Sequence, residues 1–174
     1  MSFRFQKEFL MTRDAKWTML GILAASLGFA SVAQAADTLT EQVVTRAADL
    51  KTVEGPAATF TGKVTVTGLY GTYGDMKSSG GSVTFQPGAR SFWHYHPVGQ
   101  VLIVTDGVGY TQEWGKPRVE IRAGDIVRCP AGAKHWHGAS ENSAMTHISI
   151  CEEKDPGVVV VWQEAVTDEQ YAGR

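Results

Sequence analysis

Short runs of alternating apolar and polar residues dominate the chain from about residue 60 onward. The runs 59–70, 100–105, 118–122 and 144–151 are rich in Val, Ile, Thr and aromatic side chains, and turn residues separate them. Alternation with a period of two, bounded by Gly, Pro, Asp or Ser, is typical of β-strands. Regular short strands at this spacing predict an all-β sandwich or barrel in a single domain.

Turn and helix signals refine this pattern. Asp106-Gly107 lies between two apolar runs, and Asp-Gly is typical of a two-residue hairpin turn. Residues 167–171 place a Thr three residues before a Gln, which is the spacing of a capping box. Residues 40–50 are ambiguous between helix and strand. We therefore expect a hairpin at the Asp-Gly pair and little helix beyond one C-terminal turn.

The first 35 residues differ from the rest of the chain. Four basic residues among the first 16 precede an apolar run over about 17–30, and the small residues Ala33 and Ala35 follow it. This is the pattern of a cleaved secretory signal, and the apolar run is short for a bilayer span. An uncleaved membrane anchor is the alternative, which the Ala-x-Ala pattern disfavours.

Cleavage after Ala35 would divide the chain into a signal over 1–35, an N-terminal arm over 36–58 and a barrel domain over 59–174. We expect the product to be periplasmic or secreted and not stably inserted in the membrane. The 139 residues after the signal carry 12 basic and 16 acidic side chains, without a basic stripe or a charge run. This charge pattern disfavours nucleic acids and anionic membranes as partners.

Two cysteines, Cys129 and Cys151, lie in the part that would be exported. An oxidising compartment would permit a disulfide between them. One pair is far below the cysteine density of a disulfide-built scaffold. We therefore favour two buried free thiols over a disulfide.

All five histidines fall in three strand-like segments. His94 and His96 are two residues apart, as are His135 and His137, while His147 lies on a separate run. Residues two apart on a strand point to one face, and neutral imidazole is a common metal ligand. A single His-x-His pair is often an ordinary feature of a strand. Two pairs facing each other inside a barrel would bring three or four ring nitrogens together and favour a metal site.

The offsets around these histidines resemble the two sequence motifs of the cupin family. The first motif is matched by Gly88, His94, His96, Gln100 and Gly107. The second motif is matched by Gly124, Pro130, Gly132 and His135. Two positions differ, because the first motif usually has Glu in place of Gln100 and the second usually ends in Asn in place of Ala139. The resemblance implies a small jelly-roll β-barrel that holds one divalent metal ion.

Longer segments resemble a narrower bacterial cupin subgroup, which includes manganese-dependent hydroxynitrile lyases and carboxymuconolactone-decarboxylase-associated cupins. These segments are WHYHPVGQVLIVTDGVGY, KHWHGA, MTHISI and VTDEQY. The resemblance implies four metal ligands, which are His94, His96, Gln100 and His135. It places His137 and His147 beside the metal, where we expect His147, or else His137, to be the general base. Gln100 as a polar neighbour of a three-histidine site is the alternative to its being a ligand.

The resemblance implies a hydroxynitrile-lyase-like enzyme that acts on a small molecule. The metal would activate a hydroxyl or aldehyde oxygen, and a histidine would move the proton. Manganese is the metal that the subgroup implies, although imidazole-rich sites also bind Fe, Zn, Ni and Cu. An iron-dependent dioxygenase and a non-catalytic periplasmic cupin that binds a metal or ligand are the alternatives. Only the dioxygenase would need a redox-active metal.

Aromatic residues alternate with the histidines. Trp93, Tyr95 and Trp136 would face away from the histidines beside them, so we expect them on the outer side of the sheet. Cupins commonly pair through that surface, and the resemblance therefore implies a homodimer or a higher homo-oligomer. We interpret Lys134, beside the second histidine pair, as a surface cation.

Overall fold

The computed structural model describes residue 39 and residues 41–174, and the predicted signal over 1–35 lies outside the described residues. The prediction of an all-β cupin barrel with little helix is confirmed. Within 41–174, no helix has the length and apolar character needed to cross a membrane. Helical residues in this part form the 3₁₀ turn Ala47–Asp49 and the helix α1 (Asp168–Tyr171). The strands are β1 (Thr52–Glu54), β2 (Phe60–Thr61), β3 (Val64–Tyr70), β4 (Ser78–Phe85), β5 (Arg90–Ser91), β6 (His94–Tyr95), β7 (Gln100–Glu113), β8 (Val119–Arg122), β9 (Ile126–Cys129), β10 (His135–Ala139), β11 (Met145–Glu152) and β12 (Val161–Trp162).

The long strand β7 joins the two halves of the curled sheet. Its first residues pair with β9 and β11, and its last residues pair with β8 and β10. The main order is β1-β3-β4-β11-β7-β10-β5-β2, and β6 pairs with both β10 and β12. Apolar side chains from β3, β4, β7 and β11 meet inside, around the fully buried Phe85 and Met145. The sheet thus wraps around one interior.

The predicted hairpin at Asp106-Gly107 is wrong. Both residues lie inside β7, which continues through them from one half of the sheet to the other. Gly107 has a φ of 76°, and the register of β11 against β7 shifts between Thr146 and His147. The chain bends here instead of reversing, because strands on both sides of β7 take its backbone hydrogen bonds.

The C-terminal segment covers the outer face of the histidine-bearing strands. Trp93 and Trp136 pack there in a cluster with Val166 and Tyr171, on the opposite face from the histidines. The Trp93 indole N–H donates to Gln170 Oε1 at 3.1 Å. Trp93 and Trp136 therefore lie on the outer side, as predicted, but this chain's own terminus covers them.

Helix α1 begins at the predicted capping box, which is confirmed. The backbone N–H of Gln170 donates to Thr167 Oγ1 at 3.2 Å, and Thr167 N–H donates to Gln170 Oε1 at 3.0 Å. Arg90 anchors the helix to β5 by donating to Asp168 Oδ1 at 2.6 Å. Lys134 contacts Glu164 and lies over the Trp114 ring at 3.6 Å, consistent with a surface cation.

The bend in β7 predicts a large cost for a side chain at position 107. Gly107 and Gly115 have φ values of 76° and 77°, so an alanine is strained at either, by about 1–2 kcal/mol. A Cβ on Gly107 would also lie 1.9 Å from the Ala144 carbonyl oxygen, whereas a Cβ on Gly115 would meet open space. We expect Gly107→Ala to lower the free energy of unfolding by at least ~2 kcal/mol more than Gly115→Ala. Urea unfolding at neutral pH measures both, and equal losses would contradict the bend.

Candidate metal centre

Five histidines and one glutamine meet inside the curled sheet. Each of these six side chains is at most 7% exposed. The local cause is strand alternation, because residues two apart on β10 point inward together. In the register of β10 against β6, His135 lies directly opposite His94. The six residues are His94 on β6, His96 just after it, Gln100 at the start of β7, His135 and His137 on β10, and His147 on β11.

The imidazole rings converge. The His94 ring centroid lies 4.4 Å from that of His135 and 5.2 Å from those of His96 and His137. The His137 and His147 centroids are 4.7 Å apart. The two His-x-His pairs therefore face each other, as their spacing suggests.

Backbone carbonyls orient three of the rings. The Nδ1 atoms of His94, His96 and His135 lie 2.9, 2.7 and 2.8 Å from the carbonyl oxygens of Phe92, Val159 and Ala133 respectively. A carbonyl only accepts, so each Nδ1 carries the proton and each neutral ring keeps its lone pair on Nε2. A backbone carbonyl that holds the distal N–H in this way is the usual support of a metal-ligating histidine.

The structure brings His137 close to two of the residues that sequence reasoning assigned as ligands. His94, His135 and His137 each offer one nitrogen, and these three atoms lie within 4.8 Å of one another. Sequence reasoning instead grouped His94 and His135 with His96 and Gln100. His96 lies beside the group, and its buried Nε2 has no hydrogen-bond partner. The difference arises because β10 carries both of its histidines into the interior.

Gln100 points its carboxamide oxygen toward the histidine cluster. Its Oε1 lies 3.1 Å from His135 Nε2. Since the proton of His135 is held on Nδ1, both facing atoms are acceptors. Two lone pairs in contact are unfavourable unless a cation lies between or beside them. Together with the unpartnered Nε2 of His96, this arrangement fits a bound divalent ion.

His137 and His147 form a hydrogen-bonded pair. His147 Nε2 lies 3.1 Å from His137 Nδ1, so one proton is shared between these two atoms. His137 Nε2 and His147 Nδ1 are buried without a partner. If His147 donates, its Nδ1 is a free base and His137 presents an N–H. If His137 donates, its Nε2 lone pair completes the three-histidine group.

Burial keeps all five imidazoles neutral. Desolvation is the largest cause of the lowered pKa of each ring, and it lowers the pKa of His96 and of His147 to about 4. Burial also lowers the pKa values of His94, His135 and His137, and neighbouring imidazoles lower those of His94 and His137 further. Neutral rings have the lone pairs that metal binding and proton abstraction require.

Four of the histidines, His94, His96, His137 and His147, open onto a cavity of about 670 Å³, a size typical of small-molecule sites. Phe60 and Trp162 form an apolar wall, with ring centroids 5.5 Å apart in an edge-to-face arrangement. Valines from β3, β4 and the segment before β12 extend this wall. Within the described part of the chain, Glu153 is the only lining residue with a charged side chain. The cavity therefore has an apolar body and a polar end made of imidazoles.

The two cysteines are buried free thiols, the state that the sequence favours. They lie on opposite sides of Gln100, because Cys129 on β9 and Cys151 on β11 are both its register partners. Burial raises the pKa of Cys129 to about 12 and also raises that of Cys151. Both are thiols at neutral pH, and Cys151 lines the cavity.

Sequence reasoning missed two groups of the site. The Val159 carbonyl holds His96 from 63 residues away, and no local pattern indicates that contact. Ser149 contacts the Gln100 amide, and here alternation did offer a signal. His147, Ser149 and Cys151 are spaced by two along β11 and all line the cavity.

Comparisons with known proteins agree with this geometry. The family model described as "Cupin domain" matches residues 81–151. An (R)-mandelonitrile lyase of Granulicella tundricola is 51% identical over 118 residues, which cover 68% of this chain and 89% of that protein.

Solved structures give the same result. A cupin-like protein of Thermotoga maritima is 40% identical, with a TM-score of 0.64 over 68% of this chain and 89% of that chain. The polyketide cyclase RemF of Streptomyces resistomycificus is 16% identical, with a TM-score of 0.58 over 75% of this chain and 91% of that chain, and this likeness concerns the fold alone. With this fold, these motifs and a relative that is 51% identical, the chain belongs to the cupin family and, within it, resembles hydroxynitrile lyases.

Proposed function

We propose that this cupin is a metal-dependent carbon–carbon lyase that cleaves cyanohydrins to an aldehyde and hydrogen cyanide. The observation that carries the proposal is the cluster of buried neutral imidazoles, several with unpartnered nitrogens, at the polar end of a large apolar cavity. The 51% identity to an (R)-mandelonitrile lyase supports the same chemistry.

The chain's own donors suit one divalent ion, which we propose is manganese. His94, His96 and His135 would hold it through Nε2, and Gln100 would hold it through Oε1. All four donors are neutral, so no protein charge offsets the charge of the ion. When bound, the ion supplies Lewis acidity that favours the ionised form of the substrate hydroxyl.

His147 is the proposed general base. Its Nε2–H donates to His137 Nδ1 in one arrangement of the pair, which leaves a lone pair on His147 Nδ1. Burial keeps this ring neutral at pH 7, so its lone pair is free at that pH. In the same arrangement His137 offers its Nε2–H to the substrate.

The reaction balances within this pair. His147 takes the hydroxyl proton, the electrons of the oxygen form the aldehyde C=O, and the electrons of the carbon–carbon bond leave with cyanide. The imidazolium then returns the proton to cyanide. The products are one aldehyde and one hydrogen cyanide, and no oxidant is consumed.

The cavity walls favour neutral substrates with an aromatic or aliphatic substituent. Phe60 and Trp162 offer ring faces and edges to such a group. Among the described lining residues no Lys or Arg is present to pair with an anionic substituent, and Glu153 would repel one.

The proposal predicts turnover of a neutral aromatic cyanohydrin without oxygen. Protein loaded with Mn(II) and incubated with mandelonitrile under argon should release benzaldehyde, followed by its absorbance. Mandelonitrile with a carboxylate on the ring should react at least tenfold more slowly, because the described walls offer that charge no cationic side chain and Glu153 would repel it. Metal-stripped protein is the control. An absolute need for O₂ would point instead to a dioxygenase, and tight binding without turnover would point to a non-catalytic cupin.

Removing the base should separate catalysis from metal binding. His147→Ala should lower kcat about 10²–10⁴-fold, the usual contribution of a general base, while bound Mn(II) per chain stays the same. Thr146→Val is the matched control, because Thr146 is the preceding residue on β11 and does not line the cavity. Loss of the metal in His147→Ala would identify His147 as a ligand.

The buried rings should make the metal-free protein sensitive to acid. The folded pKa values of His96 and His147, about 4, lie below the usual value of 6.5, so the unfolded chain binds more protons. The stability that the folded protein gains from keeping these two rings neutral is fully present above pH 6.5 and is lost as the pH falls toward 4. Each such histidine contributes a slope of up to about 1.4 kcal/mol per pH unit.

Urea unfolding of metal-free protein between pH 7.5 and 5 measures this loss. His147→Ala should reduce the slope of the free energy of unfolding against pH by up to about 1.4 kcal/mol per pH unit, the contribution of one proton. A free energy of unfolding that stays constant over this range would show that the rings are protonated in the folded state.

A further inference from the structure

We propose that Ser149 is a positioning residue that turns the oxygen of the Gln100 carboxamide toward the imidazoles. The inference rests on the proposed metal site, since it concerns which atom of Gln100 that site receives. Ser149 lies on β11, two residues after His147, and it lines the same cavity.

The carboxamide has two orientations of nearly the same shape. Its oxygen and its NH₂ group differ little in size, so only their hydrogen-bond partners select one orientation. In the structure, Gln100 Nε2 donates to Ser149 Oγ at 2.9 Å. Gln100 Oε1 consequently faces His135 Nε2 at 3.1 Å.

The opposite orientation would satisfy His135 and spoil the metal site. The Ala133 carbonyl holds the His135 proton on Nδ1, so Nε2 is an acceptor. A turned amide would donate its N–H to this nitrogen. That hydrogen bond would occupy the Nε2 lone pair of His135. It would also turn the oxygen of Gln100 away from the histidines and put the amide N–H in its place, and an N–H cannot bind a cation.

Ser149 is the main acceptor of the amide N–H in the observed orientation, and it opposes this turn as long as its own hydroxyl proton points elsewhere. The other neighbour of the amide nitrogen is Cys151 Sγ at 3.7 Å, and a thiol sulfur is a weak acceptor. The Ser149 hydroxyl lies 3.5 Å from Cys151 Sγ, which can take the hydroxyl proton and leave the oxygen free to accept. Gln100, Ser149 and Cys151 are all buried or half-buried, so water replaces these contacts poorly.

The geometry also explains why a glutamine needs this help. The two oxygens of a carboxylate are equivalent and need no selection. An amide at the same position has one oxygen, and its direction depends on a neighbour. Such a neighbour of a ligand typically changes metal affinity 10–100-fold when it is removed.

The test is the affinity of the full chain for Mn(II) alone, followed by the EPR signal of free Mn(II). Ser149→Thr and Ser149→Val form the matched pair, because the two side chains share a shape and differ by the hydroxyl. We expect Ser149→Val to weaken Mn(II) binding about 10–100-fold and Ser149→Thr to stay within a few fold of the unmodified protein. Ser149→Ala provides the same comparison if the branched side chains disturb folding, which thermal melting monitors.

A second background shows whether Ser149 acts through Gln100. In Gln100→Ala protein, the further change Ser149→Ala should leave Mn(II) affinity unchanged, because no amide remains to be oriented. An equal loss in both backgrounds, or equal affinities of the Thr and Val variants, would overturn the inference. If the unmodified protein binds no Mn(II), the proposed metal site itself fails, and the role of Ser149 falls with it.

Discussion

Three hydrogen bonds from imidazole N–H groups to backbone carbonyls define this site. They fix the tautomer and the direction of His94, His96 and His135, and thereby place three lone pairs in one interior. Two of the carbonyls belong to residues just before their histidines, so local strand geometry provides them. The third belongs to Val159, which reaches His96 only after the chain has closed the barrel. The site therefore depends on the last quarter of the chain returning to the motif at 94–100.

Burial gives these histidines their chemistry. Water is excluded, so the charged form of each ring is disfavoured and its pKa falls. The same exclusion makes each unpartnered nitrogen costly, since its hydrogen bond to water is lost. A metal ion or ligand bound at these nitrogens would relieve that cost. The arrangement thus trades stability of the empty fold for readiness to bind, which is common at functional sites.

The C-terminal segment supports the histidine strands from both sides. Its Val159 carbonyl and its Trp162 ring contact His96 and His94 from within the cavity. Its later residues, Val166 and Tyr171, pack on the outer face against Trp93 and Trp136. Histidine and tryptophan alternate along these strands, so one face holds the site and the other carries its packing. The C-terminal segment therefore holds in place both the histidine site and the packing behind it.

The amino-acid sequence by itself determined the local features of this protein. Alternation predicted the strands, the two His-x-His pairs indicated which side chains share a face, and the Thr-x-x-Gln spacing identified the helical cap at 167. Each of these patterns depends on residues within a few positions of one another. Tertiary structure decided the rest: that Asp106-Gly107 continues a strand, that His137 contacts His147, and that Ser149 contacts the Gln100 amide. These contacts depend on the register between strands that are distant in the chain, and register is set only when the whole sheet closes.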